Sequence, residues 1–415
     1  GCIGVPSGMP ALAVDTRLDN IADWIRQTVR GGAFVRLPAG VAVLDTRSGV
    51  GAAAGVRAAG STTRFPVTGV GGVPTTGVTA VLIDVTAITT TAATHLTVFP
   101  DGTPLNPALS MVNATTQQTI SNTAVVNLPS TGRLAVYTSA GGVHMTVDVQ
   151  GYFTRTAGAG DSFVAIPQHK LVDTRSGLGG STGKIPVGGS RTFTLTGSAI
   201  PAGATAAFLD MIATGATAQG WFSTYATGGP TRSVMDYVVG TTAHAITAQL
   251  TTDGRATFTN GSGAPVDLVL SASGYWTRGL ADGGGQRTIT ASRLLDTRNT
   301  GSKAPLAANA TVDVPLGLPP GSAAVVNFTV VGNTQAGYLR GWPVGGTEPT
   351  TTSRVNYPPV GKGPRAGMGV VEVGTGGKIR VRNVGSGTVH LLVDLQSWYA
   401  AAVGPPVRPV AQAGN

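Results

Sequence analysis

Leu44-Asp45-Thr46-Arg47 returns as Val172-Asp173-Thr174-Arg175 and again as Leu295-Asp296-Thr297-Arg298, at intervals of 128 and 123 residues. An apolar, strand-sized run follows each copy: Ala80-Val81-Leu82-Ile83-Asp84-Val85, Ala207-Phe208-Leu209-Asp210-Met211-Ile212 and Ala324-Val325-Val326-Asn327-Phe328-Thr329. Each run carries an Asp or Asn in the same place. Next comes a run with an aromatic ring, at His95, Trp221 and Tyr338, and then Ser110-Met111-Val112-Asn113, Ser233-Val234-Met235-Asp236 or Ser353-Arg354-Val355-Asn356. The copies close on Gly151-Tyr152-Phe153, Gly274-Tyr275-Trp276 and Ser397-Trp398-Tyr399. Five landmarks in one order, three times over, define a tandem repeat.

A period near 120 residues is long enough for each copy to close its own core. Within a copy, about eight short alternating segments lie between Gly, Pro, Asn and Ser turns, the pattern of a sandwich or barrel. The expectation is an all-β chain of three tandem jelly-roll-like β-sandwiches spanning 34–155, 162–278 and 287–400, with a single β-propeller as the alternative. The Gly-rich links 154–161 and 278–286 are short, which keeps the copies close together. Residues 401–415 read as an extended tail, because Pro405, Pro406 and Pro409 lack the strand donor.

Composition narrows the function classes. Only 11% of the 415 residues are charged, 41% are apolar, and Gly (61) and Pro (26) punctuate Val- and Thr-rich runs, so the chain folds around apolar cores. The net charge of +9 comes from Arg residues scattered singly, whereas a nucleic-acid footprint is a cluster; no nucleic-acid partner is expected. No apolar run reaches the roughly 18 residues of a membrane span. The five His are not spaced as metal ligands, and no Cys-x-x-Cys occurs; no metal, cofactor or catalytic set is expected.

Residues 1–32 stand apart from the repeats. Ile21, Trp24, Ile25 and Val29 share one helical face, with Asp19 or Asn20 placed to cap it. Gly1-Cys2, Pro10, Thr16-Arg17 and Asp23-Trp24-Ile25 resemble the C-terminal strand and helix of trypsin-like serine proteases; Asp15 departs from the aromatic usual there. That resemblance implies a longer native polypeptide, a disulfide from Cys2 to an upstream cysteine, and a catalytic triad upstream if one exists. The competing reading makes Asp15-Thr16-Arg17 the stub of a fourth repeat.

Two roles suggest themselves within the repeats. Asp45 with Arg47, Asp173 with Arg175 and Asp296 with Arg298 are spaced to form one fixed ion pair per copy, read as structural and set on a strand. Trp221, Tyr225, Tyr338, Trp342 and Tyr357 stand among Gly, Thr and Pro, where flat rings can lie exposed and stack on sugar rings; copies two and three carry these candidate ligand-binding residues. From residue 34 to 400 the landmarks are similar to the Leu-Asp-Thr-Arg to Gly-Tyr-Phe repeats of secreted actinobacterial proteins, with Ser271 departing from Asp148 and Asp394. A trypsin-like part followed by such modules resembles the lectin-bearing adaptor subunits of Streptomyces umbrella toxin particles. The resemblance implies a secreted, extracellular, carbohydrate-binding adaptor with cell-surface glycan and other subunits of a secreted complex as partners. A secreted serine protease with anchoring repeats and a structural wall or filament protein are the alternatives.

Overall fold

The computed structural model describes residues 31–156, 159–229, 232–278, 284–300, 303–359 and 363–401. The helix expected at Asp19–Val29, Cys2 with its disulfide, and the tail beyond residue 401 lie outside them. Among the described residues there is no α-helix, only one three-residue 3-10 turn at Thr375–Gly377, and no helix is long and apolar enough to cross a membrane.

Each repeat contributes eight strands. Copy one holds β1 (Ala33–Asp45), β2 (Thr62–Pro66), β3 (Val78–Ile88), β4 (Thr94–Pro100), β5 (Val112–Ala114), β6 (Ile120–Asn127), β7 (Arg133–Thr138) and β8 (His144–Thr154). Copy two holds β9 (Ser162–Asp173), β10 (Ser190–Thr194), β11 (Ala206–Ala216), β12 (Gly220–Tyr225), β13 (Met235–Tyr237), β14 (Gly240–Gln249), β15 (Arg255–Asn260) and β16 (Asp267–Thr277). Copy three holds β17 (Gln286–Asp296), β18 (Thr311–Pro315), β19 (Ala323–Val331), β20 (Gly337–Pro343), β21 (Val355–Tyr357), β22 (Arg365–Glu372), β23 (Lys378–Gly385) and β24 (His390–Tyr399).

These strands form six four-stranded antiparallel sheets. Copy one has β1-β8-β3-β6 and β2-β7-β4-β5, and the other copies repeat both orders. One apolar core joins the two sheets of each copy: in copy one, Val81, Ile83 and Val85 from β3 pack with Phe65, Leu96, Val98 and Leu134 from the other sheet. Six four-stranded antiparallel sheets set around a shared cluster resemble the six blades of the propeller alternative; within them the order is not sequential, strand eight sitting between strands one and three.

In the first sheet of each copy the central strand is buried on both faces. In β3, Val81, Ile83 and Val85 fill the core of copy one, while Ala80 and Leu82 point the other way into a second cluster shared by all three copies. β11 divides likewise, with Leu209 and Met211 facing inward and Ala206 and Phe208 facing the shared cluster; so does β19, with Val326 and Phe328 against Ala323 and Val325. This is why the three runs read as continuous apolar stretches instead of alternating ones.

Rings from the closing landmarks meet in that shared cluster. Phe153, Trp276 and Tyr399 pack with Phe34 and Phe163: Phe34 lies 4.8 Å from Trp276, and Phe163 stacks on Tyr399 at 4.3 Å. The landmark glycines follow from the same contact. A Cβ on Gly151 would come within 2.5 Å of the Phe34 ring, and one on Gly274 within 2.1 Å of Phe163. In copy three Gln286 takes the ring's place, paired in register with Tyr399. Ser397 then replaces the glycine, and the Gln286 amide donates to its hydroxyl at 2.9 Å.

Around this cluster the copies contact one another head to tail. The Asp or Asn in each apolar run points toward a neighbour and is met there by a different partner. His244 Nε2 of copy two lies 3.0 Å from Asp84 Oδ1 of copy one. Arg354 of copy three donates to Asp210 of copy two at 2.7 Å. Asn122 of copy one donates to Asn327 of copy three at 2.9 Å. Copy two leans on one, three on two, and one on three, so the ring closes.

The seam between copies one and two concentrates acid. Asp84 and Asp148 are cross-strand neighbours, Asp236 approaches from β13, accepting from Thr86 at 3.4 Å and Ser233 at 3.3 Å, and Arg232 donates to Asp148 at 2.8 Å. Burial raises all three carboxyls, with Asp148 pushed up to about 7 against the pull of Arg232, and Asp236 to about 6 with the charge of Asp84 adding to the rise. The folded chain therefore holds protons there that the unfolded chain releases near pH 4. The stability they contribute is full below that pH and is lost as pH climbs through 6 and 7. Asp236→Asn should melt close to the parent at pH 4 and several degrees above it at pH 8, as followed by scanning calorimetry; a gap independent of pH would refute this account of the seam.

Candidate functional site

The three Asp-Thr-Arg motifs make one construction. The Asp ends its strand and the Thr and Arg belong to the turn after it, which corrects the expectation that all three residues lie on the strand. Asp45 Oδ1 accepts from the backbone and Nε of Arg47 at 2.9 and 3.0 Å, and Oδ2 accepts from Nη2 at 2.8 Å; Asp173 and Asp296 repeat the fork with Arg175 and Arg298. The Arg bonds hold the Asp173 carboxyl well below the usual carboxylate range and Asp296 at about 2. The Thr hydroxyls of Thr46, Thr174 and Thr297 accept the backbone N–H of Met145, Leu268 and Leu391. Each motif thus ties the first strand's turn to the eighth strand.

The five candidate rings divide. Tyr357 is buried in the copy-three core, its hydroxyl donating to Asn383 Oδ1, and burial pushes its pKa up to about 12; Tyr237 makes the same bond to Asn260 at 2.8 Å. Trp342 is 7% exposed. Here the connection after β20 folds back over that strand's outer residues, with Arg340 donating to Glu348 at 2.8 Å and to the Thr350 carbonyl. Both rings were expected to be available to a sugar, and burial corrects that expectation. Their Gly and Pro neighbours mark turns without setting which way a strand residue points.

Trp221, Tyr225 and Tyr338 are half-buried. Trp221 lies over Gly261, where a Cβ would fall 2.1 Å from the indole, and Thr259 donates to the Tyr225 hydroxyl at 3.4 Å. Tyr338 holds in copy three the place of Trp221 in copy two, paired with Asn356 as Trp221 is with Asp236. Arg340 donates to the Tyr338 hydroxyl at 3.0 Å, with its guanidinium 5.3 Å from the ring centre.

A cleft of about 290 Å³ opens where copy three leans on copy two, near the small end of the about 300–1,000 Å³ usual for small-molecule sites. Lys170, Arg175, Ile212, Thr214, Thr241 and Val269 of copy two face Tyr338, Thr350, Thr351, Thr352, Ser353 and Asn356 of copy three. Beside it the two copies are tied together by Arg354 to Asp210, Gln168 to Asp210 at 2.8 Å, and Thr352 to Gln168 at 2.5 Å.

Of the residues singled out from sequence, the cleft brings together Tyr338 and Arg175, while Trp221, Tyr225, Trp342 and Tyr357 lie outside its lining. Lys170, Asn356 and the Thr350–Ser353 run were missed as site residues. The run of four hydroxyl side chains was the one available signal; nothing local marks Lys170, whose position at a seam is a tertiary fact.

No family model matches the chain, and no curated protein matches it. Among solved structures, one described as "Life in the extremes: atomic structure of Sulfolobus Turreted Icosahedral Virus" is similar over 90% of this chain and 92% of its own, at 10% identity and a TM-score of 0.20. Another, "The Triple Jelly Roll Fold and Turret Assembly in an Archaeal Virus", is similar over 90% and 91%, at 11% identity and the same TM-score. At that TM-score neither likeness bears on what this chain does.

Because Arg47, Arg175 and Arg298 are 42–54% exposed in their side chains, each ion pair should contribute about 1 kcal/mol or less. Replacing each Arg singly by Ala should lower the melting temperature by about a degree at neutral pH and by less near pH 2, where the unfolded carboxyls are protonated and the paired ones begin to take up protons. Equal losses at both pH values would show that the charge pair is not the source.

Proposed function

We propose that the chain is three jelly rolls closed into a ring, forming a secreted carbohydrate-binding adaptor whose sugar site is the cleft between copies two and three. The jelly-roll reading rests on the strand orders 1-8-3-6 and 2-7-4-5 within each copy, the arrangement of two Greek keys wrapped over one core. The carbohydrate reading is carried by one observation, the meeting of Tyr338 with six Thr and Ser side chains and Asn356 around one cleft. A phenol ring suits the apolar face of a sugar, hydroxyl and amide groups both donate to and accept from sugar hydroxyls, and Arg340 holds the ring in place before a ligand arrives. A role as the targeting subunit of a secreted antibacterial particle is supported by the resemblance of the repeats and of residues 1–32 to such adaptors.

A glycan array probed with the purified chain, its Tyr338→Ala and its Tyr338→Phe variants tests the assignment. Selective binding should fall at least about tenfold, or about 1.4 kcal/mol, in the Ala variant and less in the Phe variant, with melting temperatures unchanged. No binding to any glycan would defeat the carbohydrate reading and favour a wall or filament role; binding untouched by Tyr338→Ala would move the site elsewhere.

A further inference from the structure

We propose that the cleft between copies two and three takes an acidic saccharide, its carboxylate or phosphate oxygens received by Lys170 and Arg175. The inference rests on the carbohydrate reading above and adds the chemical class of the ligand.

The cleft lining holds two cations and no carboxylate. Both cations lean on a single acid behind them: Arg175 grips both oxygens of Asp173, through Nε at 2.8 Å and Nη2 at 2.7 Å, and Lys170 Nζ reaches Oδ2 at 3.2 Å. One carboxylate answers two charges. The fork leaves Arg175 Nη1 unused, and Lys170 keeps two of its three donors. Asp267 acts on Arg175 from outside the lining and accepts from Thr174 at 3.0 Å. Asp210, which holds Gln168 beside the cleft, is already matched by Arg354.

The other copies show that this surplus is particular to copy two. In copy three, Arg293 stands where Lys170 does, and its cross-strand partner is Asp394; Arg293 bonds both Asp394 and Asp296, so two acids answer Arg293 and Arg298. In copy one the lysine's place is Ala42, opposite Asp148, and Asp148 is taken by Arg232 from copy two. In copy two the residue opposite Lys170 is Ser271. The acid that stands opposite this position in both sisters is missing, and it is missing beside the cleft. A guanidinium edge and an ammonium with free donors are the groups that bind carboxylate and phosphate oxygens through charge-assisted hydrogen bonds.

The test compares matched pairs of glycans: a uronic-acid oligosaccharide with its neutral hexose twin, and a phosphodiester-linked glycan with its dephosphorylated twin. Titration calorimetry on the full chain should show the acidic member of at least one pair binding about tenfold or more tighter, with an advantage that shrinks as salt is raised; the pair that responds tells carboxylate from phosphate. Lys170→Gln should weaken the acidic member about tenfold and flatten its salt dependence. Ser271→Asp, which restores the acid of the sister copies, should do the same, and if it fails to fold Lys170→Gln decides. Neutral twins binding as tightly as acidic ones would overturn the inference while leaving the carbohydrate reading intact. Failure of every glycan to bind would remove both.

Discussion

An antiparallel sheet normally shows one face to water. In this chain the central strands β3, β11 and β19 have none to show along most of their length, because side chains on one face fill the copy's own core and those on the other fill a cluster common to all three. Each copy therefore needs the other two. The apolar runs, the crowded rings of Phe34, Phe153, Phe163, Trp276 and Tyr399, and the small residue beside each ring all follow from that requirement. So does the polar residue in each run: a carboxylate or amide placed on a buried face must find a partner, and the partner available is on the neighbouring copy. The apolar cluster drives association, and Asp84, Asp210 and Asn327 fix its register.

Much of the organisation could be read from the sequence. The recurrence of Asp45-Thr46-Arg47 located the copies, and the punctuation between alternating runs indicated eight strands each. The recurring Asp or Asn was visible too, but its meaning was not, because a lone polar residue in an apolar strand does not say which element it faces. The closing rings read as core and edge packing; their convergence from three copies is a matter of tertiary geometry.

The candidate site was harder to read. Lys170 and Tyr338 lie in different copies and come together only because copy three leans on copy two. Turn-forming neighbours made Trp342 and Tyr357 look exposed, yet exposure depends on strand parity and on whether a connection folds back over the sheet. Ser271 departs in sequence from Asp148 and Asp394, and its weight emerges only from the register that sets it opposite Lys170.

The head-to-tail closure also bears on how such a chain can diverge. A trimer of identical subunits with threefold symmetry repeats every contact three times, so a substitution that suits one boundary is imposed on all. Tandem copies on one polypeptide are released from that rule. Here the three boundaries already use an imidazole, a guanidinium and a carboxamide for the same task, and a serine stands in one copy where two keep an acid. A covalent pseudo-trimer can hold two boundaries for cohesion and let the third drift, so that new specificity arises at a joint without loosening the rest.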